Sequence, residues 1–435
     1  MDKDQRIKYF ERLTAKEPYS HKDIYYKGKK QKLPVFQIDL QYLVYNQYNG
    51  RIASLVKSHS QETGKAIDAT DPEGIELIEE FLWKSNEPAN KATEKSILDQ
   101  GQNEYGIVTR DGVVIDGNRR SMILRRVAKK KKESPIYFLG VVLEDALDDD
   151  PKEIMRLETT YQMGEDAKVD YNAIEKYLKC KDLIRYGFNE EEIGKMMGEN
   201  ESRIKEYLSI MDLMDDYLDK LSYSGFYTRL DKTEGAFVDL NSYLKRYKDR
   251  KSSMVQWNYD DSDVLDLKLV YFDYIRGIYN RASGSSESGD AKEYRFIGQT
   301  SKKGSFFCNG DVWRKFSSAH FEAIDAIAEP SIDEDRIANP NMHLDELLKQ
   351  RDARWADSAN NSLKRNMGLA RESLDNLNKQ NAPIELLESA KAKLESINTE
   401  SRAFLDDENV YVLVREINSI AWDFTKLIKD HQKKV

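Results

Sequence analysis

The stretch Val113–Val127, VVIDGNRRSMILRRV, decides how the N-terminal part of this chain is read. Three β-branched residues, an Asp-Gly turn and a helix start follow one another with no spacer. A strand–bend–helix junction of this kind is a phosphate-binding arrangement. The first N–H groups of the helix are unpaired, and that end carries about half a positive charge. Gly117 lets an anion approach the backbone with no Cβ in the way. Arg119 and Arg120 add planar, permanently charged forks that match phosphate oxygens. Asp116 offers a carboxylate to a lysine, a metal-bound water or a ribose hydroxyl. Taken alone, the junction is equally a plain turn with solvated arginines, because short glycine-containing motifs recur by chance.

On the N-terminal side, GIVTRDGVVID reads as a compact hairpin around Asp111-Gly112. DPEGIELIEEFLW, with an Asp-Pro start, and NKATEKSILDQ predict two helices between 71 and 100. IYY and LPVFQIDL, separated by KGKKQK, predict another hairpin over 22–40. On the C-terminal side, SPIYFLGVVLED returns to strand. From Pro151 the period becomes helical: PKEIMRLETTYQM and YNAIEKYLKCKDLIRYG, then FNEEEIGKMM and ESRIKEYLSIMDLM, with Asn189 and Asn200 as N-caps. Farther on, LNSYLKRY and LDLKLVYFDYIRGIYN read as helices, SGSSESGDA (283–291) as a flexible loop, and EYRFIG with GSFFCNGDVW as a small hairpin. Leu363, Met367, Ala370, Leu374 and Leu377, then Leu387, Ala390, Leu394 and Ile397, step by three and four on either side of NKQNAP. That pattern predicts a helical hairpin near 360–400, followed by final helices from about 408 to 431.

The 435 residues carry 33% charged and 40% hydrophobic side chains, a soluble, multidomain composition. No apolar run is long enough to span a bilayer, and the charged start MDKDQRIKYFERL lacks a signal-peptide core. Two distant cysteines, Cys180 and Cys308, argue against a disulfide framework or a structural zinc site and point to the cytoplasm. The net charge of -9 excludes a uniformly basic coat for nucleic acid. Charge is nevertheless uneven: Gly117–Lys132 holds eight lysines and arginines and no acid. Lys129–Lys132 reads as a solvated helix end, and the scattered histidines, His320 and His343 among them, give no metal site.

Together with its neighbours, the junction resembles the N-terminal domain of the ParB chromosome-partition family and the wider ParB/sulfiredoxin-like superfamily, over roughly residues 36–215. FQIDLQYLVYNQYNGRI resembles the opening strand and its Asn-x-Arg turn. TEKSILDQGQNEYGIVTRDGVVIDGNRRSMILRRV resembles the helix, the glycine before the second strand and the Gly-x-Arg-Arg phosphate motif. LETTYQMGEDAKVDYNAIEKY resembles the next motif, and GFNEEEIGKMMGENESRIKEYLSIMDLM the helix-turn-helix. The resemblance implies phosphate contacts from Gly117, Arg119 and Arg120. It places Asn118, Gln162 and the early Arg51 in the same nucleotide site, Glu158 in the second motif, and a nucleoside triphosphate (CTP or ATP) with Mg2+ as ligand. Two departures bear on chemistry. Asn118 stands where the family has an acid, which weakens the expectation of magnesium-dependent hydrolysis. The cysteine of sulfiredoxin is absent from this turn.

The helix-turn-helix reading puts Asn200, Ser202, Arg203 and Lys205 at the start of a recognition helix. Glu201 and Glu206 offset its two cations, so few phosphate contacts are on offer. The fold expected is α+β: a ParB/sulfiredoxin-like nucleotide-binding domain (1–150), a helical domain with the helix-turn-helix (151–220) and a mostly helical C-terminal domain (221–435). The first functional expectation is a nucleotide-gated DNA-binding protein. The second is a nucleotide-dependent nuclease or NTPase of phage defence, with Asp116 and Glu158 as its catalytic carboxylates. The third is a non-catalytic scaffold with a degenerate pocket. The C-terminal helices, read chiefly as a domain core, are also where a homodimer or a protein partner would attach.

Overall fold

A computed structural model describes residues 1–46, 49–130, 135–164, 171–250, 253, 255, 257–280, 293–300 and 304–433. Lys131, Lys132 and the loop 283–291 lie outside the described residues. The chain divides into two compact units, Met1–Ala370 and Arg371–Val435, each described by itself.

The first unit opens with a helix, α1 (Lys3–Thr14), capped by Asp2. A six-stranded mixed sheet follows: β1 (Ser20–Tyr26), β2 (Lys29–Asp39), β3 (Val44–Tyr45), β4 (Gly106–Val108), β5 (Val113–Asp116) and β6 (Tyr137–Val142), in the order β1-β2-β6-β4-β5-β3. Both expected hairpins are present, β1 with β2 and β4 with β5, each antiparallel. β3 runs parallel to β5, and β4 parallel to β6. Successive side chains leave a strand on opposite faces. Val114, Phe36, Ile38 and Phe138 therefore pack with Phe10 and Leu13 of α1, while Ile115, Val35, Ile107 and Val141 pack with Ile154 and Leu157 on the other side. Each such fully buried side chain contributes about 1.5–3 kcal/mol.

Between β3 and β4 lie α2 (Ala53–Thr63), α3 (Pro72–Ser85) and α4 (Glu87–Gln100). Asp71 caps α3 and Pro72 fills its first turn, the start anticipated from Asp-Pro. Helix α5 (Asn118–Lys130) follows β5 directly. It buries Met122, Ile123, Leu124 and Val127, and turns its arginines to its less buried face.

An extended helical region follows, built from α6 (Pro151–Met163), α7 (Ala173–Arg185), α8 (Glu190–Met197), α9 (Glu201–Lys220), α10 (Glu234–Lys248) and α11 (Asp261–Tyr279). Asn189 and Asn200 cap α8 and α9 as expected. Gly194 is where the turn between them comes close: a Cβ there would sit 2.5 Å from the Glu199 carbonyl oxygen. Helix α9 runs to Lys220, six residues past the anticipated end at Met214, because Tyr217 and Leu218 extend its buried stripe. His320, far from any other histidine in sequence, is buried with its Nε2 3.1 Å from Asp273.

Two expectations are corrected. EYRFIG and GSFFCNGDVW form no hairpin: they contribute the short helix α12 (Arg295–Gly298) and the start of α13 (Gly310–Asp325). Asn309-Gly310 is a helix start, with the Asn309 side chain accepting from the Asp311 and Val312 amides, rather than a strand turn. After α14 (Ile332–Ala338), the expected helical hairpin near 360–400 is one helix, α15 (Leu344–Glu395), with Pro383 inside it. A proline deletes one backbone hydrogen bond, at about 3 kcal/mol, and the long helix-forming flanks outweigh that. Leu363, Met367 and Ala370 are buried, whereas Leu387, Ala390, Leu394 and Ile397 are exposed. The second unit also holds α16 (Arg402–Leu405) and α17 (Glu408–Gln432). No helix among the described residues is long and apolar enough to cross a membrane.

Candidate functional site

The parallel strands β3 and β5 release the chain on the same side of the sheet, so the turns that follow them meet. Such a crevice outside the carboxyl ends of neighbouring parallel strands is where sheets of this kind collect ligands. The turn after β5 is Gly117, at φ +106°, a conformation that side chains strain to adopt. Its second constraint is steric: a Cβ would lie 2.9 Å from the Phe138 ring, which also fills the space beside Gly106. The turn after β3 carries Asn49, Gly50 and Arg51. Asn118 locks the two turns together. Its buried side chain accepts from the Asn46 amide at 3.0 Å and donates to the Val114 carbonyl at 2.7 Å.

The first helical hydrogen bond of α5 runs from the Ser121 amide to the Gly117 carbonyl. The amides of Asn118, Arg119 and Arg120 precede it and have no partner within the helix. Three guanidinium groups gather at this helix end. Arg119 donates to Thr93 Oγ1 of α4 at 3.1 Å, but its Nη1 is buried without a partner. Arg120 Nη1 is likewise buried and unpartnered, and lies 3.0 Å from where a Cβ on Gly117 would be. Arg51 stacks on the Tyr171 ring, 4.3 Å from its centroid. Burial first, then the neighbouring Arg51 and Arg120, pull the Arg119 guanidinium below its usual range. Among the described residues none of the three pairs with a carboxylate within 4 Å.

The other anticipated residues surround this cluster in a different state. Asp116 lies 3.9 Å from Lys22 Nζ. Glu158 is buried and bonded to Lys179 Nζ at 2.8 Å. Gln162 donates to the Ile115 carbonyl at 2.7 Å and accepts from Tyr171 Oη at 2.7 Å. A relay thus runs from β5 through Gln162 and Tyr171 to Arg51. Burial raises the Tyr171 hydroxyl pKa, with Arg51 opposing. Glu175 of α7 receives the Ser54 amide and the Ser54 hydroxyl, the latter at 2.5 Å, at the start of α2. Burial pushes it up to about 7 against the Ser54 hydrogen bonds and Lys57.

Thr93, Tyr171, Glu175 and Lys179 were not singled out in the sequence. Tyr171 and Glu175 fall inside the LETTYQMGEDAKVDYNAIEKY motif and Thr93 opens the TEKSILDQ segment, signals that were present; Lys179 lies two residues past the former motif, on the same helix. Among the described residues no three His, Cys, Asp or Glu side chains converge as a metal site. Glu158 gives one oxygen to Lys179, while its Oε1 is buried without a partner among the described residues.

A cleft of about 330 Å3 beside β3 is lined by Tyr45, Asn46, Ile67, Asp68, Thr70 and Val113, and reaches the bend only through Asn46, whose amide bonds Asn118. A larger cavity of about 520 Å3 lies elsewhere, among Phe10, Tyr26, Leu33, Phe36, Arg110 and Glu144. The larger one is the weaker candidate, since two of the three cations lining it are already paired: Lys27 with Asp145 at 2.8 Å and Arg110 with Asp149 at 3.1 Å.

At the second anticipated site, Asn200 is spent on its cap and Ser202 is exposed. Arg203 pairs with Glu206 at 2.7 Å, and Lys205 pairs with Glu201. The chain matches no protein-family model and no curated protein.

Proposed function

We propose that the chain binds the phosphates of a nucleoside triphosphate at the Asp116–Arg120 bend, and that the bound nucleotide gates contacts of the helical region with DNA or a partner. The observation that carries the reading is the unpaired arginine trio. Three permanent cations, two with buried nitrogens lacking an acceptor among the described residues, are costly to hold together without an anion. A polyphosphate supplies enough oxygens for all three and for the free amides of α5. The order of motifs shared with the ParB/sulfiredoxin-like superfamily supports the same choice of ligand.

The residues fit binding better than hydrolysis. Asn118 offers a carboxamide where a ParB-type site has an acid, and it is tied to the backbone, while Glu158 gives one oxygen to Lys179. Gating would follow the relay: phosphate drawing Arg51 inward changes its stacking on Tyr171, and Tyr171 holds Gln162 and adjoins α7, which packs on α9. A ligand shifts such an equilibrium only by its difference in affinity for the two arrangements. DNA contact would fall to Ser202 and the Asn200 end of α9, with Arg203 and Lys205 held by Glu206 and Glu201 and contributing little.

A thermal-shift screen with CTP, ATP and GTP, with and without magnesium, tests the ligand. One triphosphate is expected to raise the unfolding midpoint, and its presence to change the mobility of a DNA complex. A flat response to all three would overturn the proposal.

A further inference from the structure

Helix α17 (Glu408–Gln432) is 25 residues long and none of them is buried. Its sequence is nonetheless rich in large apolar side chains. Val410, Leu413, Ile417, Ile420, Phe424 and Leu427 step alternately by three and four, a strict 3.5-residue repeat. A straight α-helix repeats every 3.6 residues, so a 3.5 repeat stays on one stripe only when the helix winds round another with the same period. Leu413 is 55% exposed, Ile420 53% and Leu427 72%. An isolated helix with such a face is poorly stable in water, since tertiary packing supplies most helical stability.

We infer that α17 is a self-association helix, pairing in parallel with α17 of a second copy of this chain. The area is adequate. Covering the stripe and its flank Val414, Ala421 and Ile428 removes roughly 700 Å2 per copy, or roughly 1,400 Å2 in all, inside the class of specific interfaces. Four of the six core residues follow the two-stranded order, β-branched Val410 and Ile417 at the first core position and Leu413 and Leu427 at the second; Phe424 and Ile420 depart from it. Charge selects the direction. Glu416, Asp423 and Asp430 line one border of the stripe and Val414, Ala421 and Ile428 the other. An antiparallel pair would set the three acids against their own counterparts; a parallel pair sets them against the apolar border. The same acidic border opposes docking on an anionic bilayer, whose amphipathic helices carry lysine and arginine there. Trp422 points away from the stripe and stays exposed.

The full-length chain is the material for the test, by sedimentation velocity at micromolar concentration. Wild type is expected to be a dimer. Ile417→Asp with Ile420→Asp is expected to be monomeric with the same main thermal transition, and Trp422→Ala to remain a dimer. In a parallel pair identical core positions face each other, so Ile420→Cys should cross-link on oxidation and Ser419→Cys should not. Native Cys180 and Cys308 are buried and silent. A monomeric wild type, a dimer untouched by the double substitution, loss of cross-linking at position 420, or flotation with phosphatidylserine vesicles would each overturn the inference.

Discussion

Two basic regions of the first unit look alike in sequence and differ in the fold. Arg119 and Arg120 open helix α5, and Arg203 and Lys205 open helix α9; each helix follows a glycine-bearing turn. At α9 both cations lie on the surface and each has an acid one turn away. At α5 the arginines are half-buried, joined by a third from another turn, and among the described residues face no carboxylate within 4 Å. What separates a binding site from a solvated helix end is therefore the pairing of its charges in three dimensions. A local count of lysines and arginines does not reveal it.

The largest expected effect tests whether a buried cation near the bend is structural when it is paired. Lys179→Met leaves Glu158 buried without its partner and should lower stability by about 3–5 kcal/mol in urea unfolding. No loss would mean that Glu158 has another cation within reach and that the two classes are not distinct. Next comes Glu175. Burial raises its carboxyl to about 7 from an ordinary 4.5, so the folded state favours the neutral form. The stability it contributes is complete below pH 4.5 and is lost as pH rises through 7. Wild type should lose about 3 kcal/mol relative to Glu175→Gln across that window, read from urea midpoints at a series of pH values. Parallel curves for the two proteins would contradict the burial assigned to it.

Arg119→Ala should behave in the opposite manner to Lys179→Met. It removes a cation held near like charges, so the unfolding midpoint should hold or rise. Nucleotide affinity should fall about 30-fold, the loss of one charged hydrogen-bonding group worth about 2 kcal/mol. The smallest effect belongs to α9. Arg203→Ala with Lys205→Ala should leave the unfolding midpoint in place and weaken DNA binding by about twofold at most, with a slightly shallower salt dependence. A large loss of DNA binding in that variant would show that these surface pairs open on contact.

Much of the sheet was legible because its signals are local. Asp111-Gly112, the alternation in β2 and the Asp71-Pro72 start each depend on a few neighbouring residues. The bend itself was legible for the same reason, through Asp116, Gly117 and the two arginines. The rest of the site depends on contacts between residues 21 to 121 positions apart. Arg51 joins through a strand pairing, Thr93 through the packing of α4 on α5, and Glu158 is engaged by Lys179 from the next helix. No periodicity encodes those meetings. Asn118 was read as a ligand residue by its place in a motif, whereas its side chain is taken up by Asn46 and Val114. At the C-terminal end the heptad steps were visible, but a break at Pro383 was inferred from a proline that the long helix absorbs.

The central claim is that the unpaired arginines at the bend await a polyphosphate. Isothermal titration of CTP, ATP and GTP into wild type and Arg119→Ala tests it directly, with the unfolding midpoint of each protein recorded alongside. The account predicts saturable binding of at least one triphosphate to wild type and binding about 30-fold weaker in a variant that is equally or more stable. Binding of the same strength in both proteins, or none in wild type, would contradict it.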